Sequence, residues 1–170
     1  TQYFESLVGD TGHILAVEPT PNSLYYLKKN VAPKTIIIEK AASNMCREVE
    51  FFIEEFGGFT NSLVSEFTKN QNEIHQKFQH TNSDISSIKV KTDTLDSICF
   101  QNNFLPNFIK IDVEGAEYDV LLGAKHILKG VDAIMVEISN NENNVFSLLN
   151  NLGFKKMNTL NKSNNIFFVK

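Results

Sequence analysis

The chain has 170 residues, 42% of them hydrophobic, a length that suits one compact domain with a single core. Lys and Arg number 16 against 20 Asp and Glu, so the net charge is −4 at pH 7. This mild acidity argues against nucleic acid or an anionic membrane surface as the main partner. We find no run of the roughly 20 apolar residues that a membrane helix needs, and no signal peptide.

The cysteine and histidine patterns do not indicate a metal site. Cys46 and Cys99 are far apart in sequence and form no CxxC pair. Neither a disulfide framework nor a thiolate zinc site is indicated, and we expect a cytoplasmic protein. His13, His75 and His80 lack metal-ligand spacing to cysteines or carboxylates, so we predict no metal.

The first 40 residues alternate between helix and strand. Apolar residues at helical spacing predict a helix over residues 2–8, which Gly9 ends with a positive φ. Nearly continuous apolar runs predict strands over residues 13–19 and 35–39, buried on both faces of a parallel sheet. Between them we expect a short helix ending near Val31, with Thr20 as its cap.

The middle of the chain interrupts this rhythm. Residues 48–54 alternate with a period near two, and Gly57-Gly58 follows, so we predict a hairpin-like insertion; a phosphate or substrate loop is the alternative. The polar residues 68–87 are either a lid over the acceptor or a surface loop. Residues 88–92 alternate like an edge strand, and a short helix begins near Asp93 or Thr94.

The parallel pattern returns in the second half. We predict strands over residues 108–113 and 133–138, with a turn at Gly115 and a helix over residues 117–129 between them. Another helix reaches Leu152. The last two strands, over residues 154–157 and 166–169, then form an antiparallel hairpin through a turn at residues 161–164.

Acidic side chains follow three of the predicted strands. In an open parallel sheet, ligands bind beyond the carboxyl ends of the strands, where Glu18, Asp112 with Glu114, and Glu137 are expected. A carboxylate there can accept hydrogen bonds from the two hydroxyls of a ribose, the role we favour for Glu18 over a solvated strand end, whereas Asp112 can equally be a helix cap. Lys110 shares a face with Asp112, and we expect a buried ion pair with Asp112 or Glu137.

Several common nucleotide and hydrolase motifs are absent from the sequence. It contains no GxGxxG, no GxxxxGK[ST] and no GxSxG. The usual signs of a dinucleotide dehydrogenase, a P-loop NTPase and an α/β-hydrolase are therefore missing.

Five segments together resemble the FkbM-type S-adenosylmethionine-dependent methyltransferases. The most specific is KIDVEGAE, within FIKIDVEGAE at residues 108–117. The others are VLLGA at 120–124, IMVEI at 134–138, AVEPTPN at 16–22 and KAAS at 40–43. The resemblance implies a Rossmann-like methyltransferase sheet, mostly parallel with an antiparallel C-terminal hairpin, within one domain over residues 1–170.

The resemblance also implies a cofactor site for S-adenosylmethionine. Glu18, with Pro19 beside it, would hold the ribose, and the backbone around Lys40 and Ala41 would border the adenine. Asp112 would face the methionine end and the substrate.

The implied reaction is methyl transfer to a hydroxyl of a sugar or other small metabolite. The protein must align the acceptor, exclude water and remove the hydroxyl proton. Asp112, Glu114 and Glu137 are the candidate bases, and the sequence does not rank them.

One part of the family's pattern is missing. The family's first strand and its glycine-rich cofactor loop would precede Thr1, and that strand lies between the Glu18 and Asp112 strands. We therefore expect an N-terminally truncated domain, in which those two strands either pair directly or leave a gap with unpaired backbone groups. Two alternatives to the methyltransferase remain: a non-catalytic Rossmann-like binding or interaction domain, and another nucleotide-using α/β enzyme such as a nucleotide-sugar enzyme.

Overall fold

The computed structural model describes residues 1–54, 62–63, 85–157 and 165–170. The predictions for Gly57-Gly58, for His75 and His80, for most of residues 68–87 and for the turn at 161–164 lie outside these residues. The described elements, in chain order, are α1 (Gln2–Val8), β1 (Leu15–Val17), α2 (Pro21–Asn30), β2 (Ile36–Ile38), β3 (Ala41–Ala42), β4 (Arg47–Glu54), β5 (Ile85–Asp93), α3 (Leu95–Gln101), β6 (Phe108–Ile111), α4 (Glu117–Leu122), a 3₁₀ turn (Ile127–Lys129), β7 (Ala133–Glu137), α5 (Glu142–Asn151), β8 (Lys155–Lys156) and β9 (Asn165–Val169).

These strands form three sheets in a mixed α/β arrangement. β1 and β2 pair in parallel, and so do β6 and β7. β9 runs antiparallel to both β7 and β8, giving the order β6-β7-β9-β8 and confirming the predicted antiparallel end. The third sheet has the order β3-β5-β4.

β1 and β6 each have one edge that no described strand pairs with. The Glu18 N–H donates to the Ile38 carbonyl and the Ile36 N–H to the Ile14 carbonyl, so alternate residues of β1 bond to β2. The backbone groups of Leu15 and Val17 consequently point away from β2. Of the two sequence expectations for these strands, the structure therefore has the gap.

The core lies between β6, β7 and β9 and the helices that cover them. Its members are apolar side chains, most of them fully buried: Ile98, Ile111, Val120, Leu121, Ala124, Leu128, Val131, Ile134, Val136, Val145, Leu149, Phe154 and Phe168. β1 and β2 contribute only half-buried residues to this core, so the prediction that they are buried on both faces is wrong. Each of these two strands has one edge that no described strand covers.

The sequence prediction for residues 88–92 is also wrong. They belong to β5, which is the central strand of its sheet, paired with β3 on one side and with β4 on the other. Alternation of polar and apolar side chains reports that one face is solvated, and it does not distinguish an edge strand from a central one. An antiparallel bridge between Phe52 and Ser62 fits the predicted hairpin after β4.

The helix predicted over residues 117–129 ends early, at Leu122. Gly123 lies so close to β3 that a β-carbon on it would be 2.1 Å from the Ser43 carbonyl oxygen. Its carbonyl also accepts the Asp96 N–H at 2.9 Å. The chain turns there and resumes as the 3₁₀ turn, while the predicted apolar side still faces the core.

Of the helices in the described ranges, none combines the length and the hydrophobicity that crossing a bilayer requires.

We expect Gly123→Ala to destabilise the protein by about 1–3 kcal/mol, because the added methyl group meets backbone that cannot rotate away. Chemical denaturation measures this change. Gly130→Ala is the matched control, since its new β-carbon would lie 3.7 Å from the nearest atom, the Ile127 carbonyl oxygen. A loss of stability that is equal in the two variants would contradict the packing at Gly123.

The open edge of β1 predicts an alternating pattern of amide hydrogen exchange. The amides of Leu15 and Val17 should exchange at least about tenfold faster than those of Ala16 and Glu18, which bond to β2. Residue-resolved exchange measured by NMR tests this, with the alternate residues of one strand as the control. Equal protection of all four amides would show that the edge is covered.

Candidate active site

A large cleft separates β1 from β6. Its volume is about 1030 Å³, at the upper end of the roughly 300–1,000 Å³ typical of small-molecule sites. α1 contributes to one wall, where the Phe4 ring packs 5.6 Å from the Phe108 ring. The residues that follow the two strands also line it, among them Glu18, Pro19, Asp112 and Glu114. The cleft thus brings together carboxylates that are almost a hundred residues apart in sequence.

The Glu18 carboxylate is held in place by Thr20. Both the N–H and the hydroxyl of Thr20 donate to Glu18 Oε1, at 2.8 and 2.6 Å. Thr20 is the N-cap residue of α2, as predicted, and its carbonyl accepts the Leu24 N–H, but its hydroxyl makes no cap bond to that helix. No described residue donates to Oε2, which leaves that oxygen able to accept hydrogen bonds from a ligand.

The other residues predicted to border a cofactor divide into two groups. Pro19 and Ala41 line the cleft. Lys40 is not among the lining residues, and its ammonium pairs with the buried Asp93 carboxylate at 2.6 Å. Burial raises the pKa of Asp93, but hydrogen bonds from Lys40 and the Thr94 N–H outweigh it and leave the pKa lowered. Lys40 therefore anchors the start of α3 through its side chain.

Asp112 and Lys110 form an ion pair at the cleft. The Lys110 ammonium lies 2.5 Å from Asp112 Oδ2, and both side chains line the cleft. Lys110 is exposed, so the expectation of a buried ammonium is wrong, although Asp112 is one of the two predicted partners. The strand edge that faces the cleft is open, and solvent reaches the side chain there.

Glu114 has the most perturbed environment of the predicted carboxylates. Burial, and then repulsion from Asp112, Glu137 and Glu117, raises its pKa to about 7. Its backbone is left-handed, with φ 50°, and its carbonyl accepts a hydrogen bond from the buried Ser62 hydroxyl at 2.5 Å. A carboxyl with this pKa exchanges a proton readily at neutral pH.

Glu137 differs from the other predicted carboxylates in its position relative to the cleft. It is half-buried at the end of β7 and is absent from the cleft lining. Its Oε2 accepts a hydrogen bond from the Asn165 side chain at 3.2 Å. Its charge nevertheless contributes to the raised pKa of Glu114.

Sequence reasoning did not identify Glu117 as a site residue. Its carboxylate is fully buried and Oε1 accepts the Gly115 N–H at 2.8 Å. The signal was present, because Glu117 lies three and four positions before Val120 and Leu121 and so shares the apolar side of α4. Within the described ranges, no three His, Cys, Asp or Glu side chains gather in a way that could hold a metal ion.

Comparisons with known proteins indicate the family to which the chain belongs. A family model described as the methyltransferase FkbM domain matches residues 1–156. The fold is similar to the crystal structure of methyltransferase FkbM from Methylobacillus flagellatus KT, with a TM-score of 0.56 and 14% identity. That match covers 93% of this chain and 36% of the other, so this chain spans about a third of that protein. No significant match was found among curated proteins. The family model covers most of the sequence, confirming the resemblance seen there: the chain belongs to the FkbM methyltransferase family.

Proposed function

We propose that this chain binds S-adenosylmethionine in the cleft, in a Rossmann-like arrangement, and transfers its methyl group to a hydroxyl of a sugar or other small metabolite. The observation that carries the proposal is that two carboxyl groups with different roles line the same cleft. Glu18 is an oriented acceptor, and Glu114 is a proton acceptor with a pKa of about 7. Binding of the cofactor needs an acceptor for the ribose hydroxyls, and methyl transfer to an alcohol needs a proton acceptor.

The residues present fit the cofactor. Ribose offers two neighbouring hydroxyl donors, and Glu18 offers a carboxylate already fixed by Thr20. Ala41 is small and buried in the wall of the same cleft, where its surface suits the flat face of an adenine. When bound, S-adenosylmethionine supplies an electrophilic methyl group on a sulfonium.

We assign the base to Glu114. The Asp112 carboxylate is already occupied by Lys110, whose ammonium lies 2.5 Å from its Oδ2. Glu137 does not line the cleft. Glu114 does, and it can take the hydroxyl proton as the oxygen attacks. Asp112 and Lys110 then stand beside the reaction, where they can orient an acceptor hydroxyl.

Glu18→Gln tests the cofactor site. Loss of a charged acceptor for the ribose hydroxyls should weaken S-adenosylmethionine binding about tenfold to a hundredfold. Isothermal calorimetry measures this. Glu39→Gln is the matched control: that exposed carboxylate pairs with Lys28 and is absent from the cleft lining. If the intact chain gives no binding heat, the proposal is wrong and a non-catalytic domain is favoured.

The raised pKa of Glu114 predicts that both the stability and the activity of the protein depend on pH. Its folded pKa of about 7 lies above the ordinary 4.5, so the folded state holds an extra proton and loses stability as pH rises from 4.5 to 7. Glu114→Gln should abolish this decline, as denaturation at several pH values can measure. Methyl transfer to a panel of simple sugars should rise with pH through about 7, level off above it, and be lost in the variant. A carboxyl resonance of Glu114 that titrates near 4.5 would contradict this assignment.

A further inference from the structure

The Glu117 carboxylate is completely buried at the start of α4, in a position that apolar residues occupy elsewhere on this side of the helix. Oε1 accepts the Gly115 N–H, and Oε2 has no hydrogen-bond partner among the described residues. The backbone N–H groups of Ser139 and Asn140, in the loop after β7, lie close enough to lower its pKa, although burial dominates and raises it. A buried carboxylate in such a place opposes folding unless the surrounding donors hold it.

One peptide group is held from both sides. The Glu114 carbonyl accepts the Ser62 hydroxyl, and the N–H of the same peptide group, on Gly115, donates to Glu117. The residues on either side of this peptide group are both left-handed, with φ 50° at Glu114 and φ 101° at Gly115. A side chain such as that of Glu114 avoids this backbone conformation unless the surroundings enforce it.

We propose that Glu117 is a positioning residue, whose buried carboxylate locks the Glu114–Gly115 peptide group and so aims the Glu114 side chain into the cleft. The same carboxylate lies near the Ser139 and Asn140 N–H groups of the loop after β7. The importance of Glu114 in catalysis rests on the proposed function, whereas the locking of its backbone does not.

The alternative is that Glu117 only fills space in the core. The charged groups around Glu114 come from three elements: Lys110 and Asp112 from β6 and its end, Glu137 from β7 and Glu117 from α4. A space-filling role would leave the amide exchange of Gly115 unchanged when Glu117 is replaced by an apolar side chain of similar size.

The test uses Glu117→Gln, Glu117→Ala and the control Asp119→Ala, which removes a carboxylate of the same helix that bonds to Asn44. NMR follows the carboxyl titration of Glu114 and the amide exchange of Gly115. We expect Glu117→Ala to speed Gly115 exchange by about tenfold or more, as for loss of a hydrogen bond to a charged group, and Glu117→Gln to retain protection.

Both Glu117 variants should lower the Glu114 titration midpoint, because a like charge is removed, and Asp119→Ala should not. Unchanged exchange and an unchanged midpoint in Glu117→Ala would overturn the proposal. If that variant does not fold, Glu117→Met decides alone, because it keeps the volume and lacks the acceptor for the Gly115 N–H: faster Gly115 exchange supports the proposal and unchanged exchange overturns it. Neither readout needs a cofactor, so failure to bind S-adenosylmethionine would count against the proposed function only.

Discussion

The candidate site depends on the separation of β1 and β6, which do not pair with each other in the described structure. β1 bonds only to β2 and β6 only to β7 among the described strands, and the cleft between them has a volume of about 1030 Å³. Glu18 and Glu114, which follow these two strands, both line that cleft. The open edges also explain why β1 is half-buried and why Lys110 is exposed.

Several carboxyl groups surround Glu114 on the β6 side of the cleft, and backbone hydrogen bonds hold Glu114 among them. Burial deprives Glu114 of solvation, and Asp112, Glu137 and Glu117 repel a negative charge on it. Hydrogen bonds at both ends of the Glu114–Gly115 peptide group hold the backbone of this residue in place.

Much of the fold could be predicted from local patterns. The order of helices and strands follows from hydrophobic periodicity, and Gly9 and Gly153 adopt the positive φ that helix ends favour. The break of the helix at Gly123 could not be predicted, because its cause is the Ser43 carbonyl, eighty residues earlier in the chain. The central place of β5 escaped prediction for the same reason, since its second neighbour, β3, is only two residues long.

The sequence by itself determined which side chains end the strands, and therefore that Glu18, Asp112 and Glu114 are candidates at one edge of a sheet. It also determined the family, through the KIDVEGAE segment and its companions. Only the tertiary structure decided which carboxylates share the cleft, that Lys40 bonds to Asp93, and that Glu114 has a pKa of about 7. The physical reason is that burial and electrostatic repulsion depend on groups brought together by folding, and spacing along a chain carries no record of those distances.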